Sequence, residues 1–491
     1  MKTMIQGGWV VGFGDGTHRI WENGQLVLED DRVVFVGYGY PGRADRMVDA
    51  RGKLVCPGFI NTHAHVGVEI NVHMVDRLRA GSRARGLGVS AEYALGEQGR
   101  SLSRQQMRAS AAFGLAQLLR TGSTTVIDAG GSGTIWWLGN PPEDEEMLVD
   151  VAGEMGARLY VALAFRDYKT VTHPDGRFDY LHMPGYGRDL LDQAIAFVEK
   201  YGSRHEDRVR AFISPHAVDN NSPSLLSAAR EAATELRVPI EVHCAQSVRE
   251  VETIFRRHGT TPVGLLHEIG FLGPDVILGH AIFLSGHPVI ADYGIDDLAI
   301  LRETGTSVAH SPLPFLRGGD ILHSLPRYID AGVNVSVGTD MWPVDIIEEM
   351  RTAWYLGKVA SGEPDRPSAE EVFEAATIGG ARALGRTDIG RLAPGAKADV
   401  VVIDLTRFHY GPITEPIRAL LTSGRGEDVE RVFIDGREVV QAGCVRGVDM
   451  PALQRQADEV MEALIAAAVE RDWAGRSRAE FLPRGHFTSP G

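Results

Sequence analysis

Three cysteines, Cys56, Cys244 and Cys444, are all that 491 residues contain, and none sits in a CxxC pair. That number and scatter exclude a disulfide framework and a thiolate zinc site, and they fit a reducing cytoplasm. Positive charge is scarce too: 50 Lys and Arg face 65 Asp and Glu, a formal net charge of -15. A polyanionic partner such as nucleic acid would be repelled. No run of 18 apolar residues occurs, and the opening MKTMIQGGWVVGFGDG lacks a long apolar segment. Neither a membrane span nor a secretory signal is therefore expected. No redox-cofactor motif is recognised along the chain.

What is present is an ordinary globular composition, 44% hydrophobic and 23% charged, which excludes fibres, coiled coils and extended disorder. The length exceeds what one hydrophobic core supports, so two cores, or one large α/β barrel with an appendage, are expected. Residues 1–57 alternate short apolar runs with turn signals, and Asn23-Gly24 between such runs predicts a hairpin. The same texture returns as ADVVVID (398–404) and ERVFIDGREVVQAG (430–443), with Asp435-Gly436 as a second hairpin turn. Segments 1–57 and 391–448 are accordingly assigned to one small composite β-sandwich domain.

Between them, from 58 to 390, short apolar strands alternate with helical stretches, the pattern of a parallel sheet built from βα units. Eight candidate strands end near His63, Asp128, Phe165, His216, His243, His280, His310 and Asp340. This α/β order predicts a (β/α)8 TIM barrel. Helices are expected after Ser103 and from Ser368, whose Glu371 completes a capping box. Residues 449–491 form a C-terminal helix and tail, the helix capped by Asp449 with Leu453, Ala457, Val460, Leu464 and Ile465 on one face. Arg/Gly-rich residues 77–88 lie in the long loop after the first strand, either as a lid or as a solvated loop.

A TIM barrel carries its active site at the C-terminal ends of its strands, and here those ends are dense in imidazole and carboxylate. Residues two apart on a strand share a face, so His63 and His65 can aim two imidazoles at one ion. His243 adds a third neutral ligand and Asp340 a carboxylate. This mixed set suits one divalent metal per chain, Zn2+ first and Fe2+ second, with water in the open position. Hydroxide generated on the metal would attack an electrophilic sp2 carbon while Asp340 accepts the proton.

The segments PGFINTHAHVG, VHCAQ, ILGHA, SVAHSP, VGTD and IGRLAPGAKADVVVIDL resemble the amidohydrolase superfamily, in the branch of cytosine deaminase, S-adenosylhomocysteine deaminase and the s-triazine hydrolases. The resemblance covers nearly the whole chain. It implies His63, His65, His243 and Asp340 as metal ligands, His280 as the group that orients the water or polarises the substrate, and His216 and His310 as pocket residues. It also implies a homodimer. The binuclear branch uses a Lys from the fourth strand, and RVRAFISPH has none, which favours one metal.

One departure bears on the chemistry. The deaminases carry His-x-x-Glu after the fifth strand, and that Glu shuttles protons; here the motif reads His243-Cys244-Ala245-Gln246. An amide does not titrate. Positioned acid–base catalysis contributes about 100- to 10,000-fold in rate, so the departure argues for hydrolysis of a C–N bond in a cyclic amide, amidine or N-heterocycle over simple deamination. Gln246 would hold the substrate, Asp340 act as base and His280 as assisting acid. The alternatives are a deaminase or dechlorinase with a relocated shuttle, and a non-catalytic relative that binds a heterocycle. Trp136, Trp137, Phe165, Tyr168 and Trp342 follow strand ends and are candidate walls for a flat ring. Arg166 and Asp167 could recognise polar substituents of a substrate, with a surface ion pair as the first expectation, and Cys244 is expected as a buried small side chain.

Overall fold

The computed structural model describes residues 1–68, 70, 95, 102–130, 142–320, 322–323 and 325–481. Trp136, Trp137 and the 77–88 stretch lie outside the described residues.

The eight barrel strands are Phe59–Ala64, Ser123–Asp128, Arg158–Ala162, Val209–Phe212, Ile240–Cys244, Val276–His280, Ser307–His310 and Val335–Val337. They pair in parallel as two runs of four, and the runs join through the bridges Ile213–Ile240 and Ala64–Asp340, which close the ring in sequence order. All but one of their residues are buried, as a parallel sheet covered on both faces requires. The third, fourth and eighth strands stop three or four residues short of Phe165, His216 and Asp340, which therefore sit on the loops just beyond them.

The expected helices are present. Ser103 caps Arg104–Arg120 in a capping box with Gln106, and Ser368 caps Ala369–Glu374 with Glu371. Asp449 caps Met450–Glu470, whose apolar face packs against the Arg104–Arg120 helix of the barrel. Among the described residues no helix is long and apolar enough to cross a membrane.

The terminal segments build one continuous nine-stranded sheet with Lys53–Pro57 beside Val400–Asp404 at its centre. It curls until the Val33 N–H donates to the Ala396 carbonyl at 2.9 Å, enclosing Ile5, Val10, Leu26, Val55, Val400 and Phe433 in its own apolar core. Asp435-Gly436 forms the predicted hairpin, with φ of 49° and 72°. Asn23-Gly24 does not. The turn falls at Asp15-Gly16 instead, and Asn23 and Gly24 lie inside the strand Thr17–Glu29, where Gly24 pairs with Gly8 at a bulge. A bulge and a tight turn both call for left-handed backbone, so the dipeptide does not distinguish them. Gly37–Gly42 has GxGxxG spacing after a strand, but it leads through bends to the strand Arg46–Asp49 and opens no helix for a pyrophosphate.

Where sheet meets barrel, Arg158 is 1% exposed and donates to the carboxylates of Asp399 and Asp435. His18 fills the same boundary, its ring edge-on to Phe13 and Phe373 and 3.1 Å from the Thr377 hydroxyl. Burial lowers its pKa to about 4. A folded pKa below the unfolded value of about 6.5 means that stability is full above pH 6.5 and is lost as pH falls toward 4, at roughly 1.4 kcal/mol per unit. Denaturation midpoints measured across that window should fall more steeply for the wild type than for His18→Gln; equal slopes would remove His18 as the cause.

Candidate metal centre and active site

His63 lies on a strand that is buried along its whole length, and its side chain points into the barrel. Its Nδ1–H donates to the carboxylate of Glu241, which lies two residues before His243 on the fifth strand and so shares its face. Room for the ring comes from two absent side chains. A Cβ on Gly279 would sit 3.0 Å from His63 Cε1, and one on Gly338 would sit 2.7 Å from His63 Cβ.

His65 Nδ1–H donates to the Gly130 carbonyl at 2.7 Å, and His243 Nδ1–H to the His216 carbonyl at 2.5 Å. With each Nδ1 proton committed, all three Nε2 atoms present lone pairs. His65 Nε2 and His243 Nε2 are 3.2 Å apart, and Asp340 Oδ1 is 3.6 Å from His63 Nε2 and 3.5 Å from His65 Nε2. His63 Nε2 is buried without a hydrogen-bond partner. Lone pairs and a carboxylate facing one point in the interior fit a cation. Burial opposes positive charge here, yet Glu241 and Asp340 favour it strongly enough to push the His63 pKa up to about 10, so a cation at this point would take the place of the proton that His63 otherwise holds. Burial and the neighbouring His63 hold His243 well below the usual imidazole range.

Among the described residues, His63, His65 and His243 form one set with ligand atoms within 4.8 Å of one another, and His63, His280 and Asp340 a second. His280 therefore shares the centre. Its φ of 76° and that of Asp340, 55°, are left-handed, a strain that non-glycine residues keep where surrounding structure over-determines them. The ring of His280 stands edge-on to His63 and to Phe315, each at 4.6 Å, with Nδ1 buried and unpartnered.

His216 stacks 5.0 Å from His243, and its Nδ1 accepts from the Asn220 amide at 2.7 Å, leaving Nε2–H as a donor. His310 is buried, and burial alone lowers its pKa to about 3, so it is neutral. Gln246 is half-buried beyond the fifth strand. Trp342 is half-buried beside Asp340, with the Arg317 guanidinium 5.0 Å over its ring. Phe165 has no exposed surface and packs in the main apolar core, and its backbone pairs with Pro215 beside His216. Trp136 lies outside the described residues.

Arg166 and Asp167 are not a surface ion pair. They are 3% and 7% exposed, and Asp167 accepts from the Ser222 backbone N–H and hydroxyl at the start of a helix. Burial lowers the Arg166 pKa to about 10. Cys244 is buried, as expected. Two carboxylates with no role in the motif reading emerge here. Glu241 could have been found from its i−2 spacing to His243. Asp128, at the end of the second strand, accepts from Val66 N–H at 2.7 Å and Gly130 N–H at 3.3 Å, which fixes both the peptide after His65 and the carbonyl that His65 uses.

Residues 54–439 match the model of the amidohydrolase family. The chain is 30% identical over 444 residues to a 5-methylthioadenosine/S-adenosylhomocysteine deaminase of Thermococcus sibiricus, covering 90% of this chain and 94% of that one. It is also 30% identical over 452 residues to a 5'-deoxyadenosine deaminase of Methanothermobacter thermautotrophicus, covering 91% and 94%. The crystal structure of an atrazine chlorohydrolase from Arthrobacter aurescens complexed with zinc superposes with a TM-score of 0.78 at 22% identity, covering 94% of this chain and 100% of that one.

Pinning of His63 by Glu241 generates a prediction. Glu241→Gln should weaken Zn2+ binding roughly 10- to 100-fold in a chelator competition. Affinity equal to that of the wild type would leave Glu241 without this role.

Proposed function

The chain belongs to the amidohydrolase family, hydrolases of carbon–nitrogen bonds other than peptide bonds, and we propose that it holds one divalent metal ion, Zn2+ in preference to Fe2+, on His63, His65, His243 and Asp340. The observation that carries this reading is the meeting of three Nε2 lone pairs and one carboxylate at a buried point where His63 Nε2 has no other partner. We propose further that the reaction is hydrolysis at an electrophilic sp2 carbon of a cyclic amide, amidine or N-heterocycle.

Held by His63, His65, His243 and Asp340, a zinc ion would supply a water acidified to a pKa of about 7 and a Lewis acid for the group under attack. The remaining work falls to the chain. Asp340 accepts the proton of the attacking water; its carboxyl is held near a pKa of about 2 by His63, His280 and His65 against the effect of burial, so it is ionised at neutral pH. His280, neutral and fixed by its left-handed backbone, stabilises the oxygen that becomes charged. His216 offers Nε2–H, and Gln246 offers an amide that donates and accepts at every pH, which suits a substrate edge carrying a carbonyl or ring nitrogen. We place this activity in the cytoplasm, in keeping with cysteines that form no disulfide.

A second reading, nucleoside deamination with the proton shuttle moved off position 246, is favoured by the names of the 30% identical relatives. Product mass separates the two. Incubated with 5'-methylthioadenosine, 5'-deoxyadenosine and a panel of cyclic amides, the protein should open or cleave a ring amide; ammonia from the nucleosides alone would establish the second reading. Elemental analysis should find about one zinc or iron per chain. Two would refute the single site, and none after zinc supplementation would refute the metal reading. Gln246→Glu, which restores the titrating group, should gain deaminase activity on the nucleosides, and no gain would detach Gln246 from the choice of reaction.

A further inference from the structure

Gln246 sits on a turn whose geometry is imposed from elsewhere. The preceding residue, Ala245, has a φ of 50°, left-handed backbone that alanine seldom adopts. Its N–H donates to Glu250 Oε1 at 2.7 Å, and the Gln246 N–H donates to Glu250 Oε2 at 2.8 Å. Glu250 is fully buried in the first turn of the helix Val248–His258, where its own N–H donates to the Ser247 hydroxyl at 3.1 Å. Burial and nearby Asp219 push its carboxyl upward, and the N–H groups of Gln246, Ala245 and Ser247 pull against that shift.

The other side of the Ala245 residue is held as firmly. Its carbonyl accepts from the N–H of Ile282 at 3.1 Å and of Phe283 at 2.9 Å, and the Cys244 carbonyl accepts from Ala281 N–H at 3.0 Å. These three donors follow His280 directly. Ala281 is itself left-handed, with a φ of 45°, and its carbonyl accepts from the buried Tyr328 hydroxyl at 3.0 Å. One continuous chain of hydrogen bonds thus runs from Glu250 through Ala245 to the turn that carries His280.

We propose that Glu250 is a positioning residue: its carboxylate sets the aim of Gln246 and, through the Ala245 carbonyl, locks that turn to the one that presents His280. The proposal rests on the hydrolase reading of the site, in which both side chains face the substrate. A carboxylate suits the task because two parallel N–H groups need two acceptors at fixed spacing, and an amide offers one acceptor and one repelling donor. A displacement of about 1 Å at a reacting group costs on the order of 100-fold in rate, so a residue that touches no substrate can still govern turnover.

The test compares the zinc-loaded full chain with Glu250→Gln and Ala245→Gly, the second of which relaxes the left-handed turn without removing the carboxylate. Amide hydrogen exchange is read by mass spectrometry on peptides covering 244–247 and 281–284. Glu250→Gln should exchange roughly tenfold or more faster in both peptides, with the terminal sheet unchanged, while Ala245→Gly, which keeps the carboxylate and relieves the strained φ, should exchange as the wild type does. On the compound the wild type hydrolyses fastest, kcat of Glu250→Gln should fall about 10- to 100-fold, by more than KM rises. A residue that only caps its helix would loosen 248–258 and leave 281–284 and kcat unmoved; that result overturns the proposal. If Glu250→Gln does not fold, Glu250→Asp, which keeps two acceptors but withdraws them by one methylene, decides by the same two readouts. Zinc content of the same samples tests the metal site separately, so its failure is not mistaken for failure of the clamp.

Discussion

A hydrogen bond across the middle of the barrel, from the His63 imidazole to the Glu241 carboxylate, is the constraint on which the site depends. The first and fifth of eight strands stand on opposite sides of the ring, so this bond spans the interior. A carboxylate in that position costs several kcal/mol of desolvation unless it is paired, and the pairing orients the imidazole at the same time. Once His63 is fixed, the places of the others follow. Asp340 must approach its Nε2 from the eighth strand, which the bridge between Ala64 and Asp340 ensures, and His65 is carried two residues further along the same chain. Glycines at 279 and 338 are the space this arrangement requires.

The opposite end of the barrel is built for a different purpose. Arg158 begins the third strand and is sealed between Asp399 and Asp435, which flank strands of the terminal sheet. Breaking one partner of so buried a group leaves an uncompensated charge, so this network holds the sheet and barrel in one relation. It lies away from the mouth, which leaves the catalytic end free to vary through its loops.

Much of the site was legible because metal chemistry uses few residue types at strict spacing. His63 and His65 two apart, and a His or Asp near the end of every following strand but the third, can be read without knowing how strands pair. Barrel order was legible for the same reason, since each strand is a short apolar run. What escaped was whatever depends on a partner distant in sequence. Glu241 is one charged residue in an apolar strand until His63 is placed opposite it. Arg166 and Asp167 look like surface charges because nothing local shows that both are buried and that Ser222 binds the Asp167 carboxylate. The antiparallel hairpin of Tyr168–Thr172 and Phe178–His182 went unseen beside the third strand. Its second strand has no buried residue, and Arg249 and Arg257, from another helix, cover the Phe178 and Tyr180 rings. Asn23-Gly24 misled because a bulge and a turn use the same backbone.

The central pairing of the terminal sheet, Val55 against Val402, also bears on how the protein is made. Synthesis proceeds from the N-terminus, so the strand Lys53–Pro57 leaves the ribosome long before the strand that will cover its edge exists. Until then an apolar strand with unpaired N–H and C=O groups is open to other nascent chains. The barrel between the two halves can close first, since its strands pair in order of appearance. Chains released early would carry a formed metal pocket and a permanently open edge, and such fragments are substrates for chaperones and proteases more than for catalysis.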